Sequence, residues 1–279
     1  MRGALHAASH LAVWAGLYVV GALVFLAQVS GIDGGAAAGE RVRAAAFAFC
    51  TAAAVYLLDR VKLRDAWLDP ADAEAHPERF AFLSRRSRRV RALIVALLAL
   101  AVWTGESLSV WGALAPALAA AGVLVYAGRP RRARPRPKDL VFLKNGYVAL
   151  GITGFSVVVA CAAVAPHASV GAMREFMTAH WTTLALAASL LLVRVAVDAS
   201  LCDLDDEDSD RRHGTGTLPT HVGRARAWNI AAAVRIGVAA ALAVNPALPA
   251  PERFAWAGAT ALSTLALRAA APARVRDWV

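Results

Sequence analysis

The 279 residues are 58% hydrophobic and only 18% charged, and mean hydropathy is +0.50, which excludes an ordinary soluble domain and implies an integral membrane protein. The formal net charge of +10 would point to nucleic acid in a soluble protein. Here the basic residues sit in blocks between apolar runs, which reads as cytoplasmic loops and excludes nucleic acid as a partner.

A membrane-spanning helix needs about twenty mostly apolar residues. Eight such spans are read in chain order, at roughly 9–29, 43–60, 89–106, 108–127, 139–164, 178–202, 225–245 and 253–271. The first is long enough to remain a span rather than a cleaved leader. A seven-span alternative merges or drops the tight 89–127 hairpin. The expected fold is all-α, a polytopic membrane helical bundle of about eight transmembrane helices, with one domain over 1–279. Cys50, Cys161 and Cys202 are scattered within or at the ends of apolar runs, so neither a disulfide framework nor a zinc spacing is present.

The loops set the orientation. The second loop carries Arg60, Lys62, Arg64, Arg79, Arg85, Arg86, Arg88 and Arg89; the fourth carries Arg129 through Lys138; the sixth carries Arg211, Arg212, Arg224 and Arg226. The alternate loops hold few basic residues. Both termini and the even-numbered loops are therefore expected in the cytoplasm, with a bacterial inner membrane as the location. Within the spans, Arg194 and Asp198 are four apart and can pair on one helical face. An intramembrane charge marks either a functional interior or a structural pair, and both readings stay open. Arg235 and Glu106 are less telling, and the Trp residues fall mostly near span ends, as interfacial anchors do.

The stretch from Asp203 to Gly223 carries the chemistry. If the sixth span continues as helix, Asp203, Asp206 and Asp210 line one side while Asp205 and Asp208 point elsewhere. Carboxylates stacked in this way repel unless a positive group sits among them, and a hard divalent cation held by oxygen is the natural guest. Magnesium completes its shell with waters and a substrate phosphate. The plain alternative is a solvated acidic helix end. An EF-hand loop is excluded, because Asp208 stands where its sharp turn needs glycine.

Asp203-x-x-Asp206-x-x-x-Asp210-Arg211, followed by Gly214, Thr217-Leu218-Pro219 and Gly223, resembles the second aspartate-rich motif of the UbiA-type intramembrane prenyltransferases. Lys138-Asp-Leu-Val-Phe-Leu-Lys-Asn145 is similar to that family's lead-in to its fifth helix. The family's first motif, Asn-Asp-x-x-Asp-x-x-x-Asp, superposes best on Asp59-Arg60, with Val55, Tyr56 and Leu63 in place of its Asn and two of its acids. The family usually has nine helices, and eight are counted here.

The resemblance implies a membrane prenyltransferase that moves an isoprenyl group from an isoprenyl diphosphate to a lipophilic acceptor, with magnesium as cofactor and membrane lipid around it. Metal ligation and catalysis would fall to Asp59, Asp203, Asp206 and Asp210, and diphosphate binding to Arg60, Lys62, Lys138 and Arg211. With one acid left on the first side, Lys62 with Arg60 would supply fixed positive charge in place of a second ion; a lysine merely reaching the interface is the rival reading. The alternative for the whole chain is a UbiA-like protein that has lost catalysis and binds isoprenoid or lipid. An ion-conducting bundle would need more polar residues along the spans than the chain has.

Overall fold

The computed structural model describes residues 10–64, 70–108, 110–127, 140 and 143–269. Apolar runs of span length become helices because lipid leaves the backbone no partner except itself. In chain order the helices are α1 (Val13–Val29), α2 (Ala38–Val61), the short α3 (Pro70–Ala75) and α4 (Pro77–Arg85), α5 (Ser87–Glu106), α6 (Val110–Ala127), α7 (Leu143–Val164), the short α8 (Val170–Ala179), α9 (Trp181–Cys202), the short α10 (Glu207–His213) and α11 (Leu218–Val222), α12 (Arg224–Val244) and α13 (Ala250–Ala269). The eight long helices among the described residues coincide with the eight expected spans, and 89–127 forms two helices rather than one merged span. By length and composition α2, α7, α9 and α12 are long and apolar enough to cross a membrane; α1 and the Leu114–Tyr126 part of α6 are shorter apolar helices.

Side-chain size explains the close packing. α2 lies against α5 and α1, α7 against α9, and α12 against α9 and α13, while α13 returns to α1. Small buried residues line these contacts, among them Ala44, Ala48, Ala160 and Ala187, and let the helix backbones approach. At Gly16 a Cβ would fall 2.6 Å from the Phe49 ring, so only glycine admits this α1–α2 approach. Phe47 stacks on Phe155 at 5.4 Å between α2 and α7, and Phe25 meets Trp256 edge-on at 5.2 Å between α1 and α13. Large apolar side chains such as Trp14, Val95, Trp103, Leu118, Leu150 and Leu262 face outward, the arrangement expected where the solvent is lipid.

A polar knot ties four of these helices together. Asp198 of α9 pairs with Arg235 of α12 and lies 3.6 Å from Arg194 one turn away, and Tyr18 of α1 donates to it at 2.9 Å. Arg235 also donates to Thr264 at 2.9 Å and Ser263 at 2.7 Å on α13. Asp198 and Arg235 are 3% and 2% exposed, so the pairing is what makes either charge tolerable there. The expected Arg194–Asp198 pair is present, with structural partners on every side.

The end of α9 departs from the sequence expectation. The helix does not run on through the aspartates: it stops at Cys202 with Asp203 as its C-cap, the chain turns over 203–206, and α10 begins at Glu207. The reason is electrostatic. Carboxylates at a helix C-terminus oppose its dipole, whereas a new start puts Glu207, Asp208 and Asp210 in a first turn, where negative charge is favoured.

Candidate functional site

The C-terminal end of α9 meets the N-terminal end of α7. Lys144, the second residue of α7, places its Nζ 2.6 Å from Asp203 Oδ1 and 3.9 Å from Asp210 Oδ2. Asn145 donates to the other Asp203 oxygen at 3.2 Å and to Ser200 Oγ at 2.8 Å, so both Asp203 oxygens are engaged. Asp203 is 3% exposed and Asp210 7%. Asp210 Oδ2 is buried and meets no hydrogen-bond donor among the described residues. Burial pushes the Asp210 carboxyl up to about 7; Lys144 and a Thr217 hydrogen bond hold it back, while Asp203 and Asp206 add to the rise. Near neutral pH this carboxyl is shared between protonated and ionised forms, which relieves the repulsion among the three acids.

The local sequence shapes this corner. Gly214 closes α10 at φ 71°, a left-handed cap that glycine takes without cost, and Thr215 N bonds back to Asp210 O at 2.8 Å. Thr217 and Thr220 form a capping box at the start of α11, with Pro219 in its first turn. Arg224 donates to Leu204 O at 2.7 Å and lies 3.6 Å from Glu207, which fixes the turn that carries Asp203 and Asp206.

The second side of the site comes from α2. Asp59 holds Lys62 at 2.6 Å, and Arg60 Nε is 4.0 Å from Asp59 while its guanidinium covers the Tyr56 ring at 5.0 Å. Lys62 caps α2 at φ 57°, a conformation that L-residues enter only under constraint. The constraint is Arg91 of α5, which donates to Lys62 O at 3.2 Å and Val61 O at 3.5 Å. Between the two sides stands Tyr126 of α6, stacked on Tyr147 of α7 at 4.9 Å and within electrostatic reach of Lys144, Asp59, Asp203 and Arg60. Gly122 makes room for this pair, since a Cβ there would lie 2.7 Å from the Tyr147 hydroxyl.

α3 and the residue after it reach α10 and the turn before it. His76 Nε2 lies 2.7 Å from Asp206 Oδ1, and Glu74 binds Arg212 at 2.6 Å and His213 at 2.9 Å. Of the expected site residues, Asp203 and Asp210 thus meet on Lys144, Asp206 turns to His76, and Asp59, Arg60 and Lys62 form their own group. Arg211 pairs with Glu207 at 2.9 Å on the exposed side of α10. Lys138 lies outside the described residues. Sequence reasoning missed Lys144, Asn145, His76 and Tyr126 as site residues. A lysine and an asparagine opening an apolar run were a usable signal for the first two; His76 and Tyr126 carry none.

No family model and no curated protein matches this sequence. Among solved structures, the apo structure of a UbiA homolog from Aeropyrum pernix K1 superposes with a TM-score of 0.64, covering 95% of this chain and 90% of that one at 19% identity. The chain has the UbiA fold. Asp59 lies in the last turn of α2, the second long helix among the described residues, and Asp203 caps the C-terminal end of α9, the sixth.

Whether magnesium suits this version of the UbiA fold is a question of donors. The described residues contain no group of three His, Cys, Asp or Glu side chains arranged to hold a metal ion. Asp203 is occupied by Lys144 and Asn145, Asp206 by His76, and Asp59 by Lys62. A divalent ion would have to displace these partners, so the residues as arranged do not fit one.

Proposed function

We propose that the chain is a membrane enzyme of the prenyltransferase type, which holds the diphosphate of an isoprenyl diphosphate between the α2 and α9 ends. The observation that carries this is that Arg60 and Asp59 on one side and Lys144 and Asp203 on the other all lie within electrostatic reach of Tyr126, with Lys62 held on Asp59, in a UbiA fold. Ionisation of the allylic C–O bond sends its electron pair onto the diphosphate, and fixed cations aimed there stabilise the developing charge. The allylic cation is then captured by an electron-rich, lipophilic acceptor that reaches the bundle from the membrane. On this reading the chain is one domain over 1–279 and Lys138 and Arg211 guide the diphosphate in. The motif end faces the cytoplasm of a bacterial inner membrane, as the basic loops favour. Magnesium, expected from the resemblance, is the part with which the side-chain pairings disagree.

The test is pyrophosphate release from geranylgeranyl diphosphate by purified protein in detergent, with magnesium and with chelator, beside Asp203→Asn. Release is expected, and the variant should lose about 100-fold. A second reading, isoprenoid or lipid binding without turnover, is favoured by the pairing of Asp59, Asp203 and Asp206 with the protein's own cations. Binding without release would establish it, and absence of both would sink the enzyme and the binding protein alike.

A further inference from the structure

The geometry points to Lys144 as a built-in counter-cation: its ammonium occupies the place between Asp203 and Asp210 that a divalent ion would take, so the site receives its phosphate ligand without a metal. This deepens the diphosphate reading above and rests on it for the ligand, though not for the exclusion of the ion.

Two independent observations meet here. Lys144 Nζ sits 2.6 Å from one carboxylate and 3.9 Å from the other, inside a pair of acids 3% and 7% exposed. Asp210 Oδ2 is buried, is directed at that ammonium, and has no hydrogen-bond donor among the described residues. It is the atom a bound cation would satisfy, and Lys144 is the cation nearest to it among the described pairs. An ammonium has three donors, and only Asp203 takes one as a hydrogen bond, which leaves donors for an incoming phosphate oxygen. A divalent ion entering the same space would have to push out a lysine whose own charge then loses its partners, a costly exchange in a buried setting. Asn145 strengthens the arrangement by holding the second Asp203 oxygen at 3.2 Å, so a donor already sits on each oxygen of that carboxylate.

Charge supports the same conclusion. Asp59, Asp203 and Asp210 face Lys62, Arg60 and Lys144, each within ion-pair distance of at least one acid, and Asp206 meets the His76 imidazole. With Lys144 in place the carboxylates are already close to neutralised. A site that took two divalent ions would instead be left strongly acidic when empty.

The experiment uses the full-length protein in detergent and two probes. Mn2+ binding is followed by electron paramagnetic resonance with no isoprenoid present, for wild type and Lys144→Met. Inorganic pyrophosphate binding is followed by calorimetry, in chelator and in magnesium. Wild type should bind Mn2+ no tighter than roughly 10⁻³ M, the weak end of oxygen-ligand sites. Lys144→Met should bind it about tenfold or more tighter, because the two carboxylates are then open. Pyrophosphate should bind wild type in chelator within about threefold of its affinity in magnesium. Wild-type Mn2+ binding tighter than about 10⁻⁴ M overturns the proposal, and this arm stands even where the variant fails to fold. So does a Lys144→Met protein that binds no more Mn2+ than wild type, or pyrophosphate binding that requires magnesium. Because the Mn2+ arm involves no prenyl group, failed geranylgeranyl diphosphate turnover would leave it intact, and the two failures are told apart.

Discussion

At the residue scale, each acid of the site is defined by the cation it meets. Asp59 has Val55, Tyr56 and Leu63 around it in the sequence, where the resemblance would put further polar residues. In the folded chain it anchors Lys62, and Lys62 is further pinned by a left-handed backbone and by Arg91 on its carbonyl. A side chain that merely reached for the interface would not be 4% exposed at a strained position. Lys62→Met should therefore weaken diphosphate binding about tenfold, the worth of one charge-assisted hydrogen bond, as read by calorimetry with pyrophosphate. Unchanged affinity would return Lys62 to the role of a spacer for α2. Arg60 and Lys62 were legible as candidates because they adjoin Asp59 in sequence. Lys144 belongs to a recognisable lead-in to a helix, but nothing local to it shows that Asp203, far along the chain, lies 2.6 Å away.

At the element scale, helix existence was legible and helix termination was not. Runs of apolar residues of span length announce eight helices whatever packs on them. Where α9 stops depends on a balance between continued backbone hydrogen bonding and repulsion among Asp203, Asp205 and Asp206 at a negative dipole end. The turn wins because Arg224 holds Leu204 O and Lys144 holds Asp203, contacts made by other elements. The end of α2 has the same character. Arg91 supplies donors to two of its last carbonyls, Val61 and Lys62. Arg91→Ala should lower stability by about 1–2 kcal/mol through those orphaned carbonyls. The loss appears as a drop in the detergent melting temperature, and diphosphate affinity should fall with it as Lys62 loosens. A melt identical to wild type would mean that water serves the carbonyls equally well.

At the scale of the whole molecule, the bundle is held by small-residue packing and by one buried charge knot. Asp198 is shared by Arg235 and Arg194 and touched by Tyr18, and Arg235 reaches Thr264 and Ser263, so α1, α9 and α12 meet on one carboxylate and α13 joins them through Arg235. Asp198→Asn leaves the buried Arg235 and the half-buried Arg194 without this counter-charge and should cost about 3 kcal/mol or more. Asp208→Asn on the surface should cost close to nothing. Thermal unfolding of the two variants side by side checks this, and equal melting temperatures would show the knot to be dispensable. Arg194 and Asp198 could be paired from their spacing alone, because neighbours on one helix are fixed by the 3.6-residue period. Arg235, Tyr18, Ser263 and Thr264 could not, because each comes from another helix. The same division runs through the protein. Composition and span length determined by themselves that the chain is a polytopic helical bundle, since in lipid the backbone has no other way to satisfy its hydrogen bonds. The spacing of the aspartates singled out the end of α9 as the candidate site. Only the tertiary structure decided what those aspartates hold, because which cation reaches a carboxylate depends on how α7, α9 and the loop before α4 are brought together, and local sequence does not encode those distances.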